Sequence, residues 1–300
     1  MLYKQIEQNK RKTVFIFVIY IAIFALVGVG LGQLFWDNRT AGLLTALVIA
    51  LIYCFLIFQD PINTVMSMNH GKEIHEEDNP KLWHIVEDMA MVGQIPMPKV
   101  YIIPDNSPNA FATGLSPKKS SVAVTQGLLD MMDREELEGV LGHEISHIRN
   151  YDIRLSMVAL VMTSAITFIS DFAQNWMWFG FNLGSDDDDD DNNSGALGMV
   201  IGIIGVIFVL ILGPLAASLA QMALSRNREY LADAGSVELT RNPQGLINAL
   251  TKIENSEPMK AANSASASLY IEDPFRKKSL SHLFDTHPPT SERIKRLKEM

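Results

Sequence analysis

The sequence predicts an integral membrane protein of the α+β class that is mainly helical, with about four transmembrane helices and a small β-sheet in its soluble part. Long apolar segments predict the membrane helices, and short β-like runs between turn residues predict the sheet. Among the 300 residues, 48% are hydrophobic and 20% are charged, a balance that excludes a disordered chain. The formal net charge of -9 argues against a nucleic-acid partner, because nucleic acids select basic surfaces.

The first two apolar segments predict an N-terminal transmembrane hairpin over residues 1–59. Val14 to Gly32 contains 19 residues without a charge. As a helix it would be roughly 28 Å long, about the thickness of the hydrocarbon core of a bilayer. Ala41 to Phe58 adds 18 more after a short polar stretch. A secretory signal peptide is the alternative for the first segment, but its apolar region would be shorter and no second span would follow at once.

A second transmembrane hairpin is predicted over residues 155–224. Its two segments are Leu155 to Phe172, which is interrupted by hydroxyl residues, and Ala196 to Ala220. Between them lies the acidic run Asp186 to Asp191, which indicates a solvated external loop. Four basic residues precede the first span and place the N-terminus in the cytosol by the positive-inside rule: Lys4, Lys10, Arg11 and Lys12. We therefore expect a multi-pass protein of the cell membrane whose soluble parts are cytosolic.

The soluble parts, residues 60–154 and 225–300, are expected to be two halves of one domain. The first half contains a predicted helix over Pro80 to Val92. Three short strands follow between turn signals: Lys99 to Ile103, Ala110 to Gly114 and Ser121 to Thr125. A second helix begins after Asp133, because Asp133 followed by Glu136 three residues later forms a capping box.

That capped helix contains the sequence His143-Glu144-Ile145-Ser146-His147. Residues four apart lie on one face of a helix, so both imidazoles can bind one metal ion. Glu144 is turned to the side and can reach a water as a general base, which is the spacing of zinc hydrolases. The alternative is a surface helix with two solvated histidines, which the apolar neighbours of the motif argue against.

A catalytic zinc site needs a third protein ligand and one open position. The single cysteine, Cys54, lies within the second span, so the ligand is expected to be His, Asp or Glu. Glu229 and Asp233 are again four residues apart. One of them can bind the metal while the other accepts the N–H of a ligating histidine. Surface ion pairs with Arg226 and Arg228 explain these two carboxylates equally well from the residues alone.

Together these residues resemble the HtpX family of membrane-bound zinc metalloproteases, which are relatives of the CAAX prenyl proteases. The resemblance covers nearly the whole chain, and its motifs follow one another in the order Asn109 to Gly114, Ala123 to Leu129, His143 to His147, Ser225 to Asp233, and Thr286 to Ile294. One departure is Arg149-Asn150-Tyr151-Asp152, where the family usually has an Asn-Gly-Asp-Met type of sequence.

The resemblance implies a zincin-type (gluzincin) catalytic domain with one zinc ion (Zn2+) per subunit. It implies that Glu229 is the third zinc ligand and that Asp233 orients a histidine. It also implies that His287 lies near the site and stabilises the transition state, although a structural role at a helix start explains His287 equally well. An edge strand that receives extended substrate would be formed by Asn109, Ala110 and Phe111.

The sequence thus predicts a zinc-dependent endopeptidase in the lipid bilayer of the cell membrane. Its substrates would be misfolded or damaged membrane proteins or other unfolded polypeptides. One alternative is a non-catalytic zinc-binding membrane scaffold, which would have no use for Glu144. Another is a prenyl-protein processing protease, which would need a chamber built from more spans. Asn255 to Leu280 is predicted to be a mobile loop near the site, acting as a lid or a self-cleavage segment, with a plain linker as the alternative.

Overall fold

The structure is a computed structural model that describes residues 2–165, 226–260, 262–263, 266–275 and 288–300. Of the predicted third membrane segment, only residues 155–165 are among these. The fourth segment, Ala196 to Ala220, and the acidic run Asp186 to Asp191 lie outside the described residues. The second transmembrane hairpin therefore stays a prediction.

Two long apolar helices begin the chain, α1 (Leu2–Trp36) and α2 (Arg39–Gln59). The candidate spans within them, Glu7–Gln33 and Arg39–Gln59, have mean hydropathies of 2.9 and 2.7 and are long enough to cross a membrane. The side chain of Asn38 caps α2 by accepting a hydrogen bond from the Ala41 amide at 3.0 Å. These two helices have the length and composition expected of the predicted N-terminal hairpin.

Glycines let α1 and α2 pack with their backbones in contact. A Cβ atom on Gly28 would lie 2.6 Å from the Gly42 carbonyl oxygen, and one on Gly32 would lie 2.6 Å from the Asn38 carbonyl oxygen. Close backbone approach through small residues is a common way for membrane helices to associate, because lipid provides no hydrophobic force between them. Gly30, between the two, faces open space with no atom within 4 Å of a Cβ.

The soluble part contains a four-stranded mixed sheet in the order β1-β2-β4-β3. The strands are β1 (Lys72–Ile74), β2 (Lys99–Ile103), β3 (Ala110–Ser116) and β4 (Lys119–Thr125). Strands β2 and β4 pair in parallel and the other neighbours pair antiparallel. The three predicted strands are confirmed, and the three-residue β1 is an addition that the sequence did not predict. Strand β3 lies at one edge of the sheet.

Helices surround this sheet, and the sequence predicted three of them: Pro80 to Val92, the helix after Asp133 and the helix that carries Glu229 and Asp233. The helix over Pro80–Val92 and the capping box before the motif helix are confirmed. In that capping box the Glu136 amide donates to Asp133 Oδ1 at 2.9 Å, and the Asp133 amide donates to Glu136 Oε2 at 3.0 Å. In chain order the helices are α3 (Pro61–Met68), α4 (Pro80–Val92), α5 (Gln126–Met131), α6 (Arg134–Arg149), α7 (152–165, at the edge of the described range), α8 (Arg226–Thr240), α9 (Pro243–Glu254) and α10 (Thr290–Leu297).

Helix α6, which carries the histidine motif, lies in the core of the soluble part. Its apolar side chains Leu141 and Ile145 are fully buried in a cluster that also contains residues of the sheet, α4 and α9. Glycine allows α8 to approach, because a Cβ on Gly142 would lie 3.0 Å from Ser236 Oγ. Ser236 Oγ in turn donates to the Gly139 carbonyl at 2.6 Å. The close crossing of α6 and α8 positions the side chains of the site.

We expect Gly32→Leu to destabilise the N-terminal helix pair, because a side chain there meets the backbone of α2. Overpacking of this kind costs about 1–3 kcal/mol or more. The melting temperature of the detergent-purified chain should fall accordingly. Gly30→Leu is the matched control and should leave the melting temperature unchanged, so an equal loss in both variants would contradict the packing described.

Candidate metal centre

Three side chains from two helices meet between α6 and α8. The Nε2 atoms of His143 and His147 lie 3.1 Å apart. The carboxylate of Glu229 on α8 approaches both, with distances of 3.6 Å to His143 Nε2 and 3.7 Å to His147 Nε2. Among the residues that the structure describes, these three form a group whose ligand atoms all lie within 4.8 Å of one another. The group could hold a metal ion.

Each histidine is held through its other ring nitrogen by a buried carboxylate. His143 Nδ1 lies 2.9 Å from Asp233 Oδ1. His147 Nδ1 lies 3.0 Å from Asp152 Oδ2, just beyond the end of α6. A carboxylate only accepts hydrogen bonds, so both Nδ1 atoms are donors. The neutral form of each imidazole therefore carries its proton on Nδ1 and directs the lone pair of Nε2 toward the centre.

The geometry of His143, His147 and Glu229 fits a zinc ion. With both Nδ1 atoms donating outward, the two Nε2 atoms and the Glu229 carboxylate face one another at the centre. Such an arrangement is repulsive unless a proton or a metal cation lies between the groups. Two histidines and one glutamate, with the outer nitrogens bonded to carboxylates, are a common ligand set of catalytic zinc.

The charges around His143 favour a cation. Burial opposes the charged imidazolium, but hydrogen bonds to Asp233 and Glu229 outweigh it and raise the pKa of His143 to about 9. Burial also raises the pKa of Asp233, yet the neighbouring Arg293 and His143 overcome this and lower it to about 2. Asp233 is thus a permanent anion next to the site, and an anion can retain a positively charged centre that burial alone would expel.

Arg293 of α10 fixes Asp233 next to His143, with its Nη2 atom 3.4 Å from His143 Nδ1. Its guanidinium is fully buried and donates twice to the carboxylate, through Nε at 3.0 Å and Nη2 at 2.6 Å. A third bond runs from Nη1 to the Ile271 carbonyl at 3.1 Å. This bidentate pairing leaves Asp233 little freedom to turn, so the His143 ring is held as well.

Glu144 is the buried acid beside the two histidines, with an exposed fraction of 2%. Burial raises the pKa of its carboxyl above the ordinary value, while the nearby His143 and His147 oppose that rise. The backbone amide of Ala112 on β3 hydrogen bonds the carboxylate. Glu144 therefore lies between the metal centre and the edge of the sheet.

The cleft over the centre is bounded by β3, by α8 and by residues 266–275, which we call the strap. It is lined by the site residues together with Ala112, Arg228 and the strap residues Ser268 to Ile271. The strap packs against the domain, since Tyr270 is fully buried. The centroid of its ring lies 4.8 Å from that of the Phe111 ring. This part of the predicted mobile loop thus lies beside the site and along β3.

Comparison with known proteins identifies the family. A family model described as Peptidase family M48 matches residues 76–300. The chain belongs to peptidase family M48.

Full-length relatives of this M48 chain are named "Protease HtpX homolog". The protein from Lactobacillus helveticus (strain DPC 4571) is 63% identical over 300 residues, and the one from Streptococcus gordonii (strain Challis) is 53% identical over 301 residues. Each alignment covers 100% of both chains. The crystal structure of S. mikatae Ste24p aligns with a TM-score of 0.45 and 17% identity, covering 98% of this chain and 66% of that chain. The resemblance to the HtpX family is confirmed by the sequence relatives.

The structure brings together most of the site residues that the sequence singled out in this M48 peptidase. The two histidines, Glu144, Glu229 and Asp233 all lie within the cleft region, and Ala110 and Phe111 lie on the edge strand with Asn109 just before it. His287 lies outside the described residues. The roles assigned to all these residues stay predictions.

Sequence reasoning missed two residues that hold the centre, Asp152 and Arg293. Asp152 belongs to the stretch noted only as a departure from the family pattern. Its position five residues after His147 was the available signal, because a carboxylate just past the end of the motif helix can turn back to the last histidine. Arg293 gave no such signal, since its contact with Asp233 joins residues 60 apart in the chain.

We expect Glu229→Ala to abolish stoichiometric zinc binding, because two imidazoles alone hold the ion far less tightly than three ligands. Metal content of the purified chain after dialysis would measure this. Glu238→Ala is the control on the same helix, since Glu238 is an exposed partner of Arg149, and it should retain the metal. Equal metal content in both variants would show that Glu229 is not a ligand.

Proposed function

We propose that this M48 peptidase is a zinc-dependent endopeptidase that cleaves extended segments of membrane proteins or unfolded polypeptides at the cytosolic surface of the cell membrane. The observation that carries the proposal is the group of His143, His147 and Glu229, with both histidines oriented by carboxylates and Glu144 beside them. Family membership supplies the reaction, which is hydrolysis of a peptide bond.

In this mechanism His143, His147 and Glu229 would hold the zinc ion. The bound ion would polarise the scissile carbonyl and acidify the attacking water. Glu144 accepts the proton from that water as the new C–O bond forms. When the C–N bond breaks, Glu144 passes the proton to the leaving nitrogen, so the carboxylate is regenerated. The raised pKa of Glu144 suits it to both steps, because it binds the proton more readily than an exposed carboxylate.

The edge of β3 provides the backbone groups on which a substrate can lie, and the strap now occupies part of it. The Ile271 amide donates to the Ala110 carbonyl at 2.9 Å. Asn109 Nδ2 donates to the Glu272 carbonyl, also at 2.9 Å. An extended substrate added as a strand would use the same kind of main-chain bonds, which read little sequence. We infer that substrate competes with Ile271 and Glu272 for this edge.

The position of the site supports membrane-protein substrates. Asn9 on α1 contacts Asp152 beside His147, and the charge-free run of α1 begins at Val14, five residues later. At 1.5 Å per residue this is about 7 Å along the helix axis. The cleft would therefore lie near the membrane surface on the side of the N-terminus, which the basic N-terminal residues place in the cytosol.

The two alternatives explain less. A non-catalytic zinc scaffold does not need a buried general base, and burying the Glu144 carboxyl without a reaction to perform would only cost stability. A prenyl-protein processing protease would need an enclosed chamber, and the part of the chain described here offers two candidate spans. Both alternatives predict that ordinary unfolded polypeptides are not cleaved.

Glu144→Gln tests the reaction. The variant should keep zinc, because Glu144 is not a ligand, but cleavage of a detergent-unfolded membrane protein should fall by about 10²- to 10⁴-fold, the usual contribution of a general base. Glu138→Gln is the matched control on the same helix, since Glu138 is half-exposed and pairs with Arg134.

Cleavage by wild type should also stop on addition of a chelator and return with zinc. A Glu144→Gln variant that cleaves at the wild-type rate would refute the mechanism. Chelator-insensitive cleavage would refute the metal's role in the reaction.

Asn69→Ala tests the competition between strap and substrate. Asn69 Oδ1 accepts from Ser266 Oγ at 2.7 Å and from Tyr270 Oη at 3.1 Å, so it anchors the strap from outside the cleft. Each bond contributes about 0.5–1.5 kcal/mol. We expect kcat/KM for an unstructured peptide to rise about tenfold as the strap loosens.

Asn63→Ala on helix α3, which ends just before Asn69, should leave kcat/KM unchanged, since Asn63 is exposed and its side chain donates to Asp60 Oδ2. Hydrogen exchange of the Ile271 amide reports whether the strap has loosened. If that exchange accelerates while kcat/KM does not rise, the strap does not compete with substrate.

A further inference from the structure

The first membrane helix reaches the metal centre through one side chain, Asn9. This residue lies near the start of α1 and is buried, with an exposed fraction of 3%. Its Nδ2 donates to Asp152 Oδ1 at 2.6 Å and lies 3.4 Å from the Asn150 carbonyl oxygen. Both partners follow directly on the helix that carries the histidine motif. The contact therefore joins residues more than 140 positions apart in the chain.

Each carboxylate oxygen of Asp152 accepts one hydrogen bond. Oδ2 accepts from His147 Nδ1 at 3.0 Å, and Oδ1 accepts from Asn9. Arg228 is a further neighbour, with Nη1 at 4.0 Å from Oδ1, beyond hydrogen-bond distance. A carboxylate that is 2% exposed needs a donor on each oxygen, because an unpaired buried anion is costly. Without Asn9, Oδ1 would lose the hydrogen bond that fixes this carboxylate while Oδ2 holds His147.

We propose that Asn9 of the first membrane helix is a positioning residue of the metal centre, which acts on the His147 imidazole by fixing the carboxylate of Asp152. The order of contacts is Asn9, Asp152, His147 and then the metal. The inference rests on the zinc site proposed above. It assigns the N-terminal hairpin a part in metal binding in addition to membrane anchoring.

Packing against neighbouring helices holds α1 in place, so that Asn9 can position Asp152. Its residues Ile16, Tyr20, Ile23 and Phe24 are buried in one cluster with Leu155 and neighbouring residues of α7, which begins at residue 152. The Asn9 backbone is fixed too, since its carbonyl accepts from Thr13 Oγ1 at 2.8 Å. Asn9 and Asp152 are thus held by elements that pack against each other along their length.

The test measures zinc affinity of the full chain in detergent, by competition with a chromophoric chelator. Removing a carboxylate that directly holds a ligating histidine costs about 10- to 100-fold in metal affinity. Asn9 acts one contact further out, so we expect Asn9→Leu to raise the zinc dissociation constant about 3- to 10-fold. The visible absorption spectrum of the cobalt-substituted variant should shift as well, because His147 changes its orientation. Gln8→Leu is the control and should change neither quantity, because Gln8 is the exposed neighbour of Asn9 on the same helix.

A double-mutant cycle shows whether Asn9 acts through Asp152. In the Asp152→Ala background, Asn9→Leu should cost less than twofold further, because Asp152→Ala has already removed the contact. An equal loss in both backgrounds would overturn the proposal. So would a dissociation constant and cobalt spectrum identical to wild type, or a loss in Gln8→Leu equal to that in Asn9→Leu.

Asn9→Ser gives a second variant should the leucine disturb folding. It keeps a polar residue at the membrane surface but is too short to reach Asp152, so the same 3- to 10-fold loss is expected. Zinc binding by the wild type distinguishes failure of the proposed function from failure of the role of Asn9. If wild type binds no zinc, the proposed function fails together with this inference. If wild type binds zinc and the Asn9 variants bind it equally well, only the role of Asn9 is refuted.

Discussion

The structure depends on one arrangement that requires a positive charge, two imidazole Nε2 atoms 3.1 Å apart beside a carboxylate. A proton or a metal cation between these groups relieves their repulsion. The surrounding residues direct the Nε2 atoms inward, because Asp233 and Asp152 hold the protons on the outer nitrogens. The free energy that binding of a cation releases there is available because folding has already brought the groups together. Family membership agrees with a centre that is built to receive a metal.

Maintaining that arrangement explains why α6 is buried on nearly every side. A helix with two histidines and several acids would normally lie on the surface. Here its polar side chains enter a hydrogen-bonded network that ends in Arg293, which is itself fully buried and paired. Buried polar networks of this kind are stable only when each member has its partners. Loss of one outer carboxylate would therefore disturb the histidine that it holds.

Local sequence patterns were sufficient to predict several elements of the fold. The capping box at Asp133 and the strand over Lys99–Ile103 depend on residues close in the chain, and both were confirmed. The pair Glu229 and Asp233 could be placed on one helix face but could not be distinguished from surface ion pairs by spacing alone. Contacts between distant residues escaped prediction for the same reason. Arg293 with Asp233, and Asn9 with Asp152, leave no periodic signal because each partner lies on a different element.

The apolar core also connects the membrane helices to the site. Phe111 on the edge strand, Tyr270 on the strap and Tyr20 on α1 belong to one cluster of buried residues. A substrate that displaces Tyr270 would remove a fully buried ring from that cluster, and exposing an aromatic side chain costs about 1.5–3 kcal/mol. To offset this cost, a segment must replace the apolar contact of Tyr270 and also the hydrogen bonds of Ile271 and Glu272. Under the proposed function, the packing that closes the cleft would therefore favour an extended apolar segment over a folded, polar surface loop.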